Sequence, residues 1–362
     1  MDTGELVDLF QIYMAPVPTP VGLTSREIVR RAIEFDHPPR IPYSFVDPIA
    51  SDFLELLVLL VAGDPVAAAP AGHMVFDDWG VGWRSTGRVR GHAEVHPLTN
   101  LSALEEYEFP EALKPELWAA GSLIAESASA AGKYVVGPDP VKGIERLRGL
   151  VGFENLMMAL YTDRERVGAL LGRLADMTIE VVRTYAEKST VHGFMTWEDW
   201  GLQTSLQINP QVWREVFKPH YARIVEAAHA GGMHYLLHCC GYIVDIIPDL
   251  IDIGVDVLQL DQPRLMGHER LASLFGGQIC FWNCVDIQWS PRPEVTHEDI
   301  RQDVKEMVER FGPFGGGLIA RHYPAWWDIG MTTEKNRAIY DAFMEFGCRQ
   351  VASGTASSKG RC

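Results

Sequence analysis

From Phe194 onward the chain repeats one hydrophobic pattern. Short runs that are apolar on both faces alternate with longer stretches of helical spacing. Phe194 to Trp197 is such a run, ending in Glu198 and Asp199. A long helix is predicted next, with Asn209 as N-cap, Pro210 at the first helical position and Gly231-Gly232 as the stop. MHYLLHCC (233–240) reads as a buried strand, and Gly241 opens a second helix, IVDIIPDLIDIG, broken or kinked near Pro248. VDVLQLD (255–261), QICFWNCVD (278–286) and GGLIARH (316–322) are three more strands. HERLASLFGG (268–277), a helix capped by Thr296 and running to Phe311, and a last helix capped by Thr332 or Thr333 and ending at Phe346 complete the rhythm. Strands apolar on both faces, each followed by a helix, belong to a parallel sheet covered by helices.

The first half is less regular. IPYSFV (41–46) and KYVVGPDP (133–140) read as strands, and 155–189 as one or two helices. Two or three strands here and five later make about eight, so the expected fold class is α/β, a single-domain (β/α)8 TIM barrel rather than an open doubly wound sheet. No GxGxxG or GxxxxGK[ST] follows a strand, which weighs against nucleotide-binding alternatives. Residues 1–22, with Pro16, Pro18 and Pro20, are predicted as a loose N-terminal arm, 23–348 as the barrel and 349–362 as a disordered tail.

Composition narrows the partners. The 362 residues carry 32 Lys+Arg against 48 Asp+Glu, a net charge of −16. No basic block offsets phosphate repulsion, so neither nucleic acid nor an anionic membrane is an expected partner. At 47% hydrophobic residues the chain can bury a large core. The nearest approach to a membrane span, Phe53 to Ala69, is interrupted by Glu55, Asp64 and Pro65, and the acidic start MDTGELVDLF lacks the basic region of a secretory signal. Six cysteines, two of them adjacent at Cys239 and Cys240, make no disulfide framework. A reducing cytoplasm is the expected compartment, and a cysteine with a role is then a ligand or nucleophile.

In a barrel the chemistry sits at the C-terminal ends of the strands. Read in order, those ends offer Glu198 and Asp199; His238, Cys239 and Cys240; Gln259 and Asp261; Asn283, Cys284 and Asp286; and Arg321 and His322. His238 and Cys240 share one face of their strand, while Cys239 faces the helices. An imidazole nitrogen and a thiolate so placed converge on a tetrahedral zinc, with a third ligand from His322, Glu198 or Asp199. Glu198 and Asp199 are also candidate catalytic acids, and Gln259, Asn283 and Arg321 candidate substrate-binding residues. The bland alternative is a small core cysteine beside a histidine satisfied by a neighbour. Three weaker features are the Asp77-Asp78-Trp79-Gly80 loop, the arginines Arg84, Arg88 and Arg90 beside Trp83, and the Trp326-Trp327 pair. The first reads equally well as a binding loop or a surface turn; for the other two, an edge strand and a loop packed over the barrel are the favoured readings.

Several segments together resemble the uroporphyrinogen decarboxylase superfamily. LTSREIVRRAIEFDHPPRIP (23–42) resembles its opening helix and first strand, the stretch from Asn209 to Pro263 its core, and GPFGGGLIARHYP (312–324) its last strand. The resemblance implies a (β/α)8 barrel and one of two activities. True decarboxylases use no metal and carry an RQAGRY-like arginine loop, where this chain has RIPYSFVDP. The second branch, which the chain resembles more closely, contains zinc- and corrinoid-dependent methyltransferases with a His-x-Cys-Gly strand and a distant cysteine. His238, Cys240 and Gly241 match that signature; in place of the distant cysteine stands ARHYPAW, where His322 is the nearest substitute.

The resemblance thus implies zinc held by His238, Cys240 and His322 or Glu198. It also implies a corrinoid, methylcobalamin, on a partner protein, since no DxHxxG cobalamin signature is present here. A methyl group would pass between a small methylated substrate, such as a methyl ether, or a thiol and that corrinoid-binding protein. Homodimerisation is left open. A metal-free lyase and a non-catalytic binding module are the competing classes.

Overall fold

The structure, a computed structural model, describes residues 14–56, 66, 69–87 and 91–348. The predicted tail, residues 1–13 of the arm, most of the apolar stretch after Phe53 and both Arg88 and Arg90 lie outside the described residues.

Helix α1 (Ser25–Ile33) is followed by β1 (Tyr43–Val46), β2 (Ile49–Ser51) and β3 (Phe53–Glu55). β4 (Met74–Phe76), β5 (Gly82–Arg84) and β6 (His92–Val95) form a small antiparallel sheet of their own. Then come α2 (Pro115–Ala130), β7 (Tyr134–Pro138), α3 (Ile144–Val151), α4 (Phe153–Thr162), α5 (Arg164–Lys188) and β8 (Gly193–Trp197). α6 (Pro210–Val216) and α7 (Lys218–Ala230) lead to β9 (His234–Cys239), α8 (Ile247–Asp252), β10 (Val257–Leu260) and α9 (His268–Phe275). β11 (Cys280–Asn283), α10 (His297–Phe311), β12 (Leu318–Arg321) and α11 (Thr333–Phe346) complete the order.

Strands β1, β12, β11, β10, β9, β8, β7 and β3 pair in that sequence, every pair parallel. This is the predicted barrel with one departure. No helix joins the first two barrel strands. β2 turns back antiparallel to β1 and leads directly into β3, which is why the strand–helix rhythm fails early in the chain.

Asp52 forms the seam. Its N–H donates to the Tyr43 carbonyl at 2.7 Å and its own carbonyl accepts from the Tyr134 N–H at 2.9 Å, joining β1 to β7. Its fully buried carboxylate accepts from the Tyr43 N–H, the Ser25 hydroxyl and both terminal nitrogens of Arg40, at 2.6–2.8 Å.

Two packed layers result. Inside the barrel lie Phe53, Tyr134, Val136, Met195, Leu236, Val257, Cys280, Trp282 and Ile319, and Val29 and Ile33 of α1 plug this core. Phe53 stacks on Trp282 with ring centroids 4.5 Å apart. The alternate strand residues, such as Phe45, Phe194, Leu237, Leu258 and Phe281, pack outward with the helices.

Local sequence accounts for the helix ends. Thr296 and Asp299 form a reciprocal capping box for α10, and Thr332 caps α11. The single helix expected from Asn209 to Ala230 is two, broken at Phe217, because Pro219 has no N–H to continue the ladder. The break expected at Pro248 takes the form of a 3-10 turn, Val244–Ile246, with Pro248 in the first turn of α8. The described part of the arm is not loose: Val17 is buried, Lys133 Nζ holds the Ala15 carbonyl at 2.6 Å, and Arg40 Nε holds that of Pro18 at 2.8 Å. Among the described residues no helix is long and apolar enough to cross a membrane.

Candidate active site at the barrel mouth

Strand register decides which residues meet. Trp197 pairs with His238, His238 with Gln259, Gln259 with Trp282, and Trp282 with Ile319. Paired residues on parallel strands point the same way, so this layer faces the interior with Trp282 and Ile319. Two residues further along each strand come Asp199, Cys240, Asp261, Cys284 and Arg321. The residues between, Glu198, Cys239 and Asn283, face outward, as does His322, one residue beyond Arg321.

His238 and Cys240 meet as expected, with Nε2 3.5 Å from Sγ. Asp199 joins them: Oδ1 is 3.6 Å from His238 Nε2 and accepts from the Cys240 N–H at 3.0 Å. One donor atom from each of the three lies within 4.8 Å of the others, the arrangement of a metal-binding group. Two glycines bring the β8 and β9 ends this close. A Cβ on Gly241, whose φ is +81°, would stand 2.3 Å from the Gly201 carbonyl carbon, and one on Gly201 would stand 2.4 Å from that of Gly241. Only bare backbone permits this approach, and the Gly201 N–H closes it by donating to the Cys240 carbonyl.

The other side of His238 is held by Gln259, whose Oε1 accepts from Nδ1–H at 2.9 Å. That bond leaves the Nε2 lone pair facing Cys240 and Asp199. Gln259, expected to bind substrate, is occupied in orienting the imidazole. Burial, with the charges of Asp199 and Asp261, pushes the Cys240 thiol well above its usual range. Cys239 is buried against the helix layer, as expected, its sulfur accepting from the Trp200 N–H at 3.3 Å.

Three expected site residues are not in this cavity. His322, the expected third ligand, packs 5.3 Å from Phe45, and its Nε2 accepts from the Val46 N–H at 3.1 Å. Burial and the adjacent Arg321 push its pKa down to about 3. Glu198, the other expected third ligand, caps α3 instead. It accepts from the Gly143 and Glu145 N–H groups and from the Tyr221 hydroxyl, and burial above all raises its pKa to about 8. Asn283, expected to bind substrate, is fully buried on the outward side with neither amide atom hydrogen-bonded. The physical reason is common to all three: on a strand a shift of one residue exchanges faces. Of the three candidates for a third ligand, Asp199 is the one that strand parity brings to His238 and Cys240.

Arg321 does face inward, with Nη1 3.4 Å from Asp261 Oδ1. Sequence reasoning missed Glu55, read only as a break in an apolar run. It lies inward at the end of β3, two residues beyond Phe53, within electrostatic reach of Arg321 and Asp261. Its parity with Phe53 was the available signal.

Described residues of the weaker features have partners within the chain. Asp77 accepts from the Trp79 and Val81 N–H groups, making a turn. Arg84 pairs across strands with Glu94 at 2.6 Å. Trp326 and Trp327 pack edge to face at 5.5 Å.

Residues 147–319, just under half of the chain, match the model of the uroporphyrinogen decarboxylase (URO-D) family. No curated protein matches in sequence. Among solved structures, a methyltransferase from Methanosarcina mazei is 16% identical and superposes with a TM-score of 0.58 over 94% of this chain and 90% of its own. A family 10 xylanase from Gloeophyllum trabeum, 12% identical, has a TM-score of 0.40 over 62% of this chain and 80% of its own. The methyltransferase shares the fold, and the span matched by the family model contains Asp199, His238 and Cys240. Residues 147–319 are thus similar to the uroporphyrinogen decarboxylase family, and the chain shares the barrel fold of the methyltransferase.

Proposed function

We propose that the protein is a cytoplasmic, zinc-dependent methyltransferase. It moves a methyl group between a small methylated substrate or thiol and a corrinoid carried by a partner protein. The observation that carries this reading is the Asp199–His238–Cys240 cluster at the mouth of a barrel similar to this family.

The donor set fits a catalytic zinc. It offers one nitrogen, one sulfur and one oxygen, a mixed set that leaves a fourth position for substrate. Its charge balance also fits, because the Cys240 thiol sits beside the carboxylates of Asp199 and Asp261. A divalent ion there supplies positive charge and favours the thiolate. When bound, zinc supplies Lewis acidity, polarising a methylated oxygen or holding a thiol as thiolate.

The chain's own residues do the rest. Gln259 fixes the His238 tautomer and ring orientation, the usual service of a metal ligand's outer partner. The Gly201–Gly241 contact holds Asp199 against Cys240. Trp197 of β8 and Trp282 of β11, both inward, make the floor apolar and limit the water beneath the reacting groups.

The test is metal content and methyl transfer together. Freshly purified protein is expected to hold about one zinc. His238→Ala, Cys240→Ala and Asp199→Ala should each lose it, and with it methyl transfer to or from cobalamin, while circular dichroism shows an intact fold. Protein free of zinc, with activity that survives chelators and the Cys240→Ala change, would point instead to the metal-free lyase chemistry of the superfamily.

A further inference from the structure

Beside the zinc cluster the barrel mouth holds a second group of charged side chains. Ile319 is interior and Ala320 outward, so Arg321 at the end of β12 faces inward. It is 7% exposed. Its Nη1 is sealed from solvent without a hydrogen-bond partner, and its Nε reaches only the His322 carbonyl, at 3.4 Å. The Asp261 carboxylate stands 3.4 Å from Nη1, beyond the 2.7–2.9 Å of a charge-assisted bond. Glu55 faces the same guanidinium, with Asp261 as its other charged neighbour.

A buried guanidinium with unmet donors is unfavourable, because each unpaired group has lost its water without gaining a partner. Such an orphan among inward-facing charged groups at the barrel mouth is explained by a ligand that completes the bonding. Guanidinium geometry matches a planar pair of anionic oxygens. We propose that Arg321, flanked by Glu55 and Asp261, is a carboxylate subsite, and that the substrate methylated or demethylated here is an acid whose carboxylate binds Arg321.

Glu55 makes the binding proton-linked. An ionised Glu55 would set three carboxylates around one guanidinium; a protonated one donates a hydrogen bond to the ligand instead. Burial already favours the protonated form, with Arg321 opposing and Asp261 reinforcing it. The subsite deepens the methyl-transfer reading by naming its substrate class, and rests on that reading for the fate of the methyl group.

The experiment is calorimetric titration of the full chain, as purified and again after chelator treatment. The probes are acetate, benzoate and 4-methoxybenzoate, with 4-methoxybenzamide as the neutral match. At about pH 6 the methoxybenzoate should bind at least about ten-fold more tightly than the amide, with or without metal. Arg321→Gln should remove that preference and Arg321→Lys keep part of it. Affinity should fall by up to about ten-fold per pH unit above the Glu55 pKa, and Glu55→Gln should flatten this dependence. Equal binding of acid and amide, no saturable binding of any of the three acids, or a preference that persists in Arg321→Gln overturns the subsite. The acid–amide comparison needs no variant, so a folding defect in Arg321→Gln leaves the test intact. Because chelated protein is included, failure of zinc binding and failure of the subsite are separate results.

Discussion

His238 Nδ1 lies 2.9 Å from Gln259 Oε1, on the neighbouring strand and in register with it. Two residues that sequence reading assigned to different tasks, ligand and substrate binder, are one unit. If Gln259 orients the imidazole, Gln259→Ala should weaken zinc binding by about 10–100-fold. Competition with a calibrated chelator reads this directly. Gln259→Glu, which keeps an acceptor at the same reach, should hold the metal at least as well as the wild type. Unchanged affinity in the alanine variant would mean that His238 needs no orienting partner.

Cys239 and Cys240 are adjacent and chemically identical, and only the pleat separates their roles. Cys239→Ala should cost about 1–2 kcal/mol in denaturant unfolding, through lost packing and a weakened contact with the Trp200 N–H, and should leave metal content unchanged. Cys240→Ala should do the reverse, removing the metal at little cost in apo-protein stability. A metal loss in Cys239→Ala would show that the register at the end of β9 is shifted by one residue.

His322 gives a test with an opposite sign on each side. As a residue outside the zinc cluster, His322→Gln should keep the metal. As a buried neutral imidazole accepting from Val46, it should also set a pH dependence. Its folded pKa of about 3 lies below the ordinary imidazole value of 6.5. The folded state therefore binds fewer protons than the unfolded one, and the stability due to His322 is complete above about pH 6.5 and lost as pH falls toward 3. The slope approaches 1.4 kcal/mol per pH unit. Urea unfolding at about pH 7 and 5 should show a smaller pH difference in His322→Gln than in the wild type. Equal differences in the two proteins would remove this assignment.

These contrasts show what the chain makes legible. The alternation of apolar runs and capped helices revealed the barrel because every later strand is buried on both faces. The missing helix between β1 and β3 left no such rhythm to read. At the site, His238 and Cys240 were legible because their two-residue spacing lies within one strand. The third member was not, because choosing between Glu198 and Asp199, or between Arg321 and His322, needs the parity of a strand whose last residues are all polar. Glu55 escaped for a related reason: the interior partners that give its strand a parity, Tyr134 and Trp282, are distant in sequence.

The barrel seam offers the sharpest test of stability. Asp52 and Arg40 are paired at 2.7 Å with side-chain exposures of 0% and 3%, so neither charge has water as an alternative. Asp52→Ala would leave the guanidinium buried and unpaired, and would also remove the acceptor for the Tyr43 N–H and the Ser25 hydroxyl. The expected cost is about 3–5 kcal/mol, read by chemical denaturation. Removing both charges leaves no orphan cation, so Asp52→Ala combined with Arg40→Met should cost less than the sum of the two single changes. Because the seam lies at the N-terminal end of the strands, opposite the mouth, zinc affinity per folded molecule should be unchanged in all three variants. A cost below about 1 kcal/mol for Asp52→Ala would show that the β1–β7 junction is held by its backbone bonds alone.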